Sequence, residues 1–167
     1  MILYHGSNMI VEEIELARCR PYRDFGAGFY LTTYPDQARR MAARVVRLYG
    51  GSGAVSTFEF DEAAATGLNT LSFAKPSIEW ARFVMNNRNR IFDETGSSEC
   101  NHDAKYDIVV GPIANDDMVL LFRQYAEEFI TIETLARDLE FCELTNQYSF
   151  HTEKAIATLK YKGVLDE

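Results

Sequence analysis

Basic residues, cysteines and long apolar runs are all scarce in this chain, and each shortage removes a class of function. Its 17 lysines and arginines face 25 aspartates and glutamates, giving a formal net charge of −8 and an isoelectric point near 4.9. Proteins that grip nucleic acid or anionic membranes over a broad surface carry the opposite balance. Neither is expected as a general partner, although a local basic patch stays open. No stretch approaches the roughly eighteen apolar residues needed to span a bilayer, and no basic head precedes a long apolar segment. Membrane span and signal peptide are therefore both excluded from the expectation, which places the protein in the cytoplasm. Cys19, Cys100 and Cys142 are odd in number and far apart, a pattern of reduced thiols rather than of a disulfide framework. Internal repeats and long low-complexity linkers are missing as well.

What is present is enough apolar material for one core. With 167 residues, 47% of them hydrophobic, the chain suits a single domain over residues 1–167 and is too short for two ordinary ones. Short runs rich in β-branched and aromatic residues read as strands over 1–5, 28–33, 54–60, 106–111, 147–152 and 159–165. Helical patterns fill 35–50, 76–92, 115–129 and 131–141. Pro35 and Pro76 suit first turns, and Asn115 and Thr131 suit caps. The alternation reads as α+β. In the helix over 35–50, Met41, Val45 and Leu48 share one stripe, expected to face the core, while Arg40, Arg44 and Arg47 form a basic one. The stretches 50–54 and 95–103 read as surface loops.

Three motifs invite a chemical reading and favour a plain one. Asp24-Phe25-Gly26 matches the metal-binding tripeptide of protein kinases, but the glycine-rich loop, strand lysine and catalytic-loop motif of that fold are missing. Cys100-Asn101-His102-Asp103 offers metal donors without a second ligand pair at a zinc-like spacing, which favours a polar loop and predicts no metal. The glycines at 50, 51 and 53 either cradle a phosphate or end the preceding helix, and a lone cluster at that place favours the helix end.

A fourth feature combines three segments: "LYHGS" at 3–7, "DFGAGFYLTT" at 24–33 and "TNQYSFHT" at 145–152. In that order they resemble the signature strands of the ADP-ribosyltransferase fold, in the branch typified by diphtheria toxin and poly(ADP-ribose) polymerase. There the pattern runs His-Gly, then Gly-hydrophobic-Tyr, then a glutamate after asparagine. More narrowly, the second segment with its downstream "QA", the run "YDIVVGPIANDD" and "QYSFHTEKA" resemble a bacterial family classed as a domain of unknown function (DUF3990-like) and regarded as ADP-ribosyltransferase-like. That resemblance spans nearly the whole chain. It implies two packed antiparallel or mixed sheets with flanking helices, and NAD as substrate with no metal.

The resemblance also implies roles. His5 would hydrogen-bond a ribose hydroxyl of NAD, the Gly6 backbone would pair with the nicotinamide carboxamide, and Tyr30 would stack on the nicotinamide ring. Ser7, Gly26, Gly28 and Arg23 would complete the binding set, with the glycines keeping the floor of the slot open. Singly, each residue has a plainer reading: His5 as a polar residue on a strand, Tyr30 as core, "HGS" as a turn.

Where the polymerase-like branch carries its glutamate, this chain has Gln147. A neutral amide still accepts a hydrogen bond but gives up the charge that offsets a developing cation. Loss of one preorganised contact costs about 2.7–4 kcal/mol of transition-state stabilisation. The implied function is NAD-dependent mono-ADP-ribosyl transfer to a protein or nucleic-acid acceptor, as the toxin of a pair with a small neutralising antitoxin. The competing reading is a weak or inactive module that binds NAD, another nucleotide or a partner. Glu143 and Glu153 are nearby substitutes for the missing charge, or simply solvated surface carboxylates. Arg40, Arg44 and Arg47, with Arg18, Arg20 and Arg23, offer a grip on phosphates or a solvated helix face. If Gln147 stands at the third catalytic position, Gln147→Glu restores the charge and is expected to raise NAD hydrolysis.

Overall fold

A computed structural model describes residues 1–92, 96–140 and 145–165. The strands are β1 (Ile2–Ser7), β2 (Phe29–Leu31), β3 (Ala54–Phe60), β4 (Thr70–Ser72), β5 (Ile108–Gly111), β6 (Gln147–Phe150) and β7 (Leu159–Val164). The helices are α1 (Pro35–Tyr49), α2 (Ile78–Arg88), α3 (Asp116–Ala126), α4 (Ile132–Leu139) and the single-turn α5 (Glu153–Ile156). The expected α+β class holds. Six strands and four helices lie where the sequence places them, within a few residues. β4 and α5 go beyond the expectation, and Ser77 rather than Pro76 marks the start of α2: its hydroxyl accepts the Trp80 N–H. Asn115 and Thr131 cap α3 and α4 through the backbone N–H groups of Met118 and Thr134.

Two sheets result. One is antiparallel in the order β1-β3-β7; the other runs β2-β6-β5-β4, with only the β4–β5 pair parallel. Alternation along each strand sorts the side chains into layers. Leu3, Phe58 and Phe60 of the first sheet meet Phe29, Leu31, Ile108 and Phe150 of the second in one buried cluster. On the far face of the second sheet, Val109 joins Trp80, Phe83, Met118, Phe122, Leu135 and Leu139 from α2, α3 and α4. β5 is thus buried on both faces, which explains its unbroken apolar run "IVV". Among the described residues no helix is long and apolar enough to cross a membrane.

Helix α1 covers the outer face of the first sheet, but not with the stripe expected of it. Met41 is 38% exposed and Leu48 59%, whereas Ala38 and Ala42 are the buried residues, packed with Val55. The cause is the closeness of approach. A Cβ on Gly6 would stand 1.9 Å from the Ala38 carbonyl oxygen and 2.9 Å from the Ala42 nitrogen. The helix backbone rests on the strand backbone, so only glycine below and alanine above fit between them. Arg40, Arg44 and Arg47 are exposed, as the pattern requires. The loop after α1 is the helix end rather than a phosphate cradle: the Gly50 N–H donates to the Val46 carbonyl, Gly50 and Gly51 have positive φ, and Asn8 holds the turn from β1.

This contact yields a test. Gly6→Ala must lift α1 off β1, and overpacking of that kind costs at least about 2 kcal/mol, or about 4–8 °C of melting temperature for a chain of this size. Differential scanning calorimetry of the variant is expected to show that drop; an unchanged melting temperature would refute the packing argument.

Candidate functional site

Among the described residues, the two sheets join edge to edge at one bridge. β1 and β2 are edge strands of their respective sheets, and Tyr4 and Thr32 exchange a pair of backbone hydrogen bonds of 2.8 and 3.0 Å across the gap. Antiparallel geometry would set Gly6 against Tyr30 at the next rung. The ladder does not continue there. The Tyr30 carbonyl accepts instead from His5 Nδ1 at 2.8 Å, so an imidazole takes the place of a backbone partner. Because Met1 exchanges bonds with Phe60 of β3 and Tyr4 with Thr32, alternation points the N–H and C=O of Gly6 toward this interrupted edge and away from β3. The site is an unfinished seam between two sheets.

A carbonyl partner fixes the histidine tautomer. Nδ1 must carry the proton that it donates to Tyr30, which leaves Nε2 as the free position. Burial lowers the His5 pKa below its ordinary value against the pull of the Tyr30 carbonyl, and the nearby Arg23 charge lowers it further. The ring is therefore neutral at pH 7, stacked on Phe29 with centroids 4.3 Å apart, and offers a lone pair at Nε2. Ser7 follows on the same face of β1, half-buried, with its hydroxyl 3.5 Å from Asn8 Oδ1.

Tyr30 is half-buried and its hydroxyl is committed: it donates to the Gly26 carbonyl at 2.7 Å and accepts the Phe25 N–H at 3.0 Å. Burial, followed by the charge of Asp24, raises its pKa well above the ordinary 10, so it stays a neutral phenol. The ring lies beside Phe25 and edge-on to His151. Tyr30 thus pins the loop over residues 24–28 to β2. Gly28 lies where that loop passes over His151; a Cβ there would stand 2.6 Å from the imidazole Nδ1. The glycine makes room for a histidine, an internal need in addition to any need of a ligand.

Gln147 opens β6, two residues from Ser149, which pairs with Tyr30 across β2 and β6. With a period of two, Tyr30, Ser149 and Gln147 share one face of the sheet. The Gln147 amide is 7% exposed and donates from Nε2 to Asp24 Oδ2 at 2.8 Å and to the Pro112 carbonyl at 3.2 Å. Asp24 also accepts from Arg88 at 2.6 and 2.9 Å and from the Ala114 N–H at 3.1 Å. Next to Gln147, Asn146 fastens β6 to the end of β2 through Thr32 and Thr33 and to α1 through Gln37. His5, Tyr30 and Gln147, far apart in sequence, are therefore joined: His5 through the Tyr30 carbonyl, Gln147 through the loop that Tyr30 pins.

Asp24, Arg88 and Asn146 are the participants that sequence reasoning passes over. Asp24 belongs to the tripeptide set aside as a chance kinase match, and its buried setting cannot be seen without knowing that residue 147 folds against it. Arg23 acts electrostatically on both His5 and Tyr30. Arg20 fastens its loop to α1, lying 4.2 Å above the Tyr49 ring and donating to its hydroxyl at 2.6 Å. Glu153 is exposed in the first turn of α5, and Glu143 lies outside the described residues, as does Cys142. The 100–103 run holds a loop together: His102 faces the Phe92 and Asn87 carbonyls, and Asp103 accepts from Gly96 and Lys105.

The sequence model of the family described as "Protein of unknown function (DUF3990)" matches residues 1–161. No curated protein matches the chain.

His151 supports the site from beneath. It is 6% exposed, its Nδ1 donates to the Ala27 carbonyl at 2.7 Å, and its Nε2 lies 2.8 Å from the Ser149 hydroxyl, which also reaches the Val109 carbonyl at 3.0 Å. Burial pushes its pKa down from 6.5 to about 4. Below the unfolded value the unfolded chain binds a proton that the folded one refuses, so stability falls as pH drops from about 6.5 to about 4, by about 3 kcal/mol for this group alone; His5 adds with the same sign. Chemical denaturation across that range is expected to show the loss, and a folded His151→Gln to show a shallower one. An equally steep profile in the variant would exclude His151 as the cause.

Proposed function

The chain belongs to this family, and we propose that it binds NAD at the interrupted seam between β1 and β2 and transfers ADP-ribose to a macromolecular acceptor. One observation carries the reading: the rung at which β1 and β2 stop pairing gathers a glycine whose N–H and C=O turn away from β3, a neutral imidazole and an aromatic ring, with a buried amide linked to them. In this assignment the N–H and C=O of Gly6 meet the nicotinamide carboxamide, a planar group with a matching donor and acceptor. His5 Nε2 accepts from a ribose hydroxyl. The Tyr30 ring supplies the stacking surface, and Arg23, close enough to influence both, faces the pyrophosphate.

The chemistry asked of these groups is modest. Cleavage of the bond between nicotinamide and ribose C1′ leaves the electron pair on the departing neutral base and builds positive charge on the sugar, as in glycoside hydrolysis. A new bond then forms from C1′ to the acceptor's nucleophile, which loses its proton. Gln147 has both amide hydrogens tied to the protein, so its oxygen is the atom left to accept from a ribose hydroxyl. It holds the sugar and abstracts no proton. The acceptor must therefore be nucleophilic without help from this residue, or the reaction is slow. Slow or absent transfer corresponds to the second reading, a nucleotide- or partner-binding module, which the neutral amide at 147 favours. A small antitoxin partner belongs to the transferase reading.

Labelled NAD incubated with the protein and a cell lysate discriminates these outcomes: nicotinamide release with a labelled macromolecule supports transfer, release alone means hydrolysis, and binding without release means a module. Thermal stabilisation by NAD is expected to weaken at least about tenfold in apparent affinity for His5→Ala, as for loss of one hydrogen bond to a buried group; unchanged affinity would remove His5 from the site. Exchange of exposed Arg40, Arg44 and Arg47 for glutamine should leave the melting temperature within about 2 °C while reducing transfer. Normal transfer by that variant would exclude the α1 basic face from acceptor binding.

A further inference from the structure

The Gln147 side chain meets two acceptors, the Asp24 carboxylate at 2.8 Å and the Pro112 carbonyl at 3.2 Å. Only an NH₂ group can serve both at once. Asp24 is itself 8% exposed; one of its oxygens takes both Arg88 bonds, and the other takes the Ala114 N–H and the Gln147 amide. The two acceptors facing Nε2 together specify an amide at 147.

We propose that Asp24 is a positioning residue that makes glutamine, and not glutamate, the correct side chain at 147. It anchors Nε2 against the wall of the site, which leaves Oε1 as the acceptor presented to a ligand, and it keeps the negative charge of the site one residue behind the amide. The presentation to a ribose hydroxyl rests on the NAD reading; the selection of glutamine rests on the hydrogen bonds alone.

The expected gain from Gln147→Glu then reverses. A glutamate would place an acceptor oxygen where Nε2 now donates, beside a buried carboxylate that shares a single guanidinium. Two carboxylates that close repel one another, so the pair takes up one shared proton on acidification at a higher pH than an isolated carboxylate would. Among the described residues, the other charged or titratable groups near the pair include Arg88 from α2, Arg23 from the loop and Tyr30 from β2, whose phenol stays neutral and which also feels Cys19. When Asp24→Asn accompanies Gln147→Glu, the amide nitrogen introduced at 24 can donate to the carboxylate introduced at 147 and the amide oxygen can still accept from Arg88, at the loss of the acceptor for the Ala114 N–H.

The test is a double-mutant cycle on the full chain: wild type, D24N, Q147E and D24N/Q147E, each followed by melting temperature at about pH 7.5 and about pH 5 and by nicotinamide release from NAD. Q147E is expected to cost more melting temperature in the wild-type background than in D24N at the higher pH, and the difference should close at the lower pH as the carboxylate pair takes up its proton. Nicotinamide release at the higher pH should be at least about tenfold faster for D24N/Q147E than for Q147E. Equal melting costs in both backgrounds at both pH values would overturn the proposal. A coupled cycle in proteins that neither bind nor cleave NAD would sink the NAD reading and leave the positioning role standing; NAD cleavage with an additive cycle would do the opposite.

Discussion

The candidate site depends on a pairing that stops after one rung. Tyr4 and Thr32 join the two sheets, and had the ladder run one step further, the Tyr30 carbonyl and the Gly6 backbone would have satisfied each other. His5 prevents this by giving Tyr30 a side-chain donor. That single exchange leaves the N–H and C=O of Gly6 turned toward the interrupted edge and not toward β3, and polar main-chain groups seek partners wherever they are shielded from water. The loop over residues 24–28, the Gln147 amide and the His151 support are arranged beside that interrupted rung.

Much of this is legible from local pattern. The β-branched and aromatic runs mark six strands, and cap residues at 115 and 131 mark two helix starts, because such signals depend on neighbours in sequence. The motif residues His5, Tyr30 and Gln147 can be ordered along the chain, and the structure brings them together. What escapes a reading of pattern depends on distance. Hydrophobicity weighed without knowing how near the strand lies assigns the apolar stripe of α1 to its larger residues. At backbone contact, alanine wins over methionine and leucine. β4 is three residues long with none of them buried, too weak a signal to register. Asp24 looks like part of a chance tripeptide, because a buried carboxylate is recognised by its donors, and these come from residues 88, 114 and 147.

Glycine illustrates the same separation between pattern and cause. Gly6 and Gly28 fit the resemblance as residues that clear space for a ligand. In the folded chain each also clears space for the protein itself, Gly6 for helix α1 and Gly28 for His151. A position required twice over tolerates little change, and loss of activity on substitution would not by itself reveal which requirement had failed.

The hydrogen bonds that assemble the site reach across almost the whole sequence: Asp24 to Gln147 spans 123 residues, Thr32 to Asn146 spans 114, and Ala27 to His151 spans 124. Contacts so remote close large loops and rank among the slowest to form. The first half of the chain holds His5, the 24–28 loop and Tyr30, but the partners that lock the loop in place emerge only when synthesis has passed residue 151. Until then the nascent polypeptide carries the recognition motifs without the geometry that joins them. Order of appearance along the chain, as much as any contact within it, places the site among the late-forming parts of the molecule.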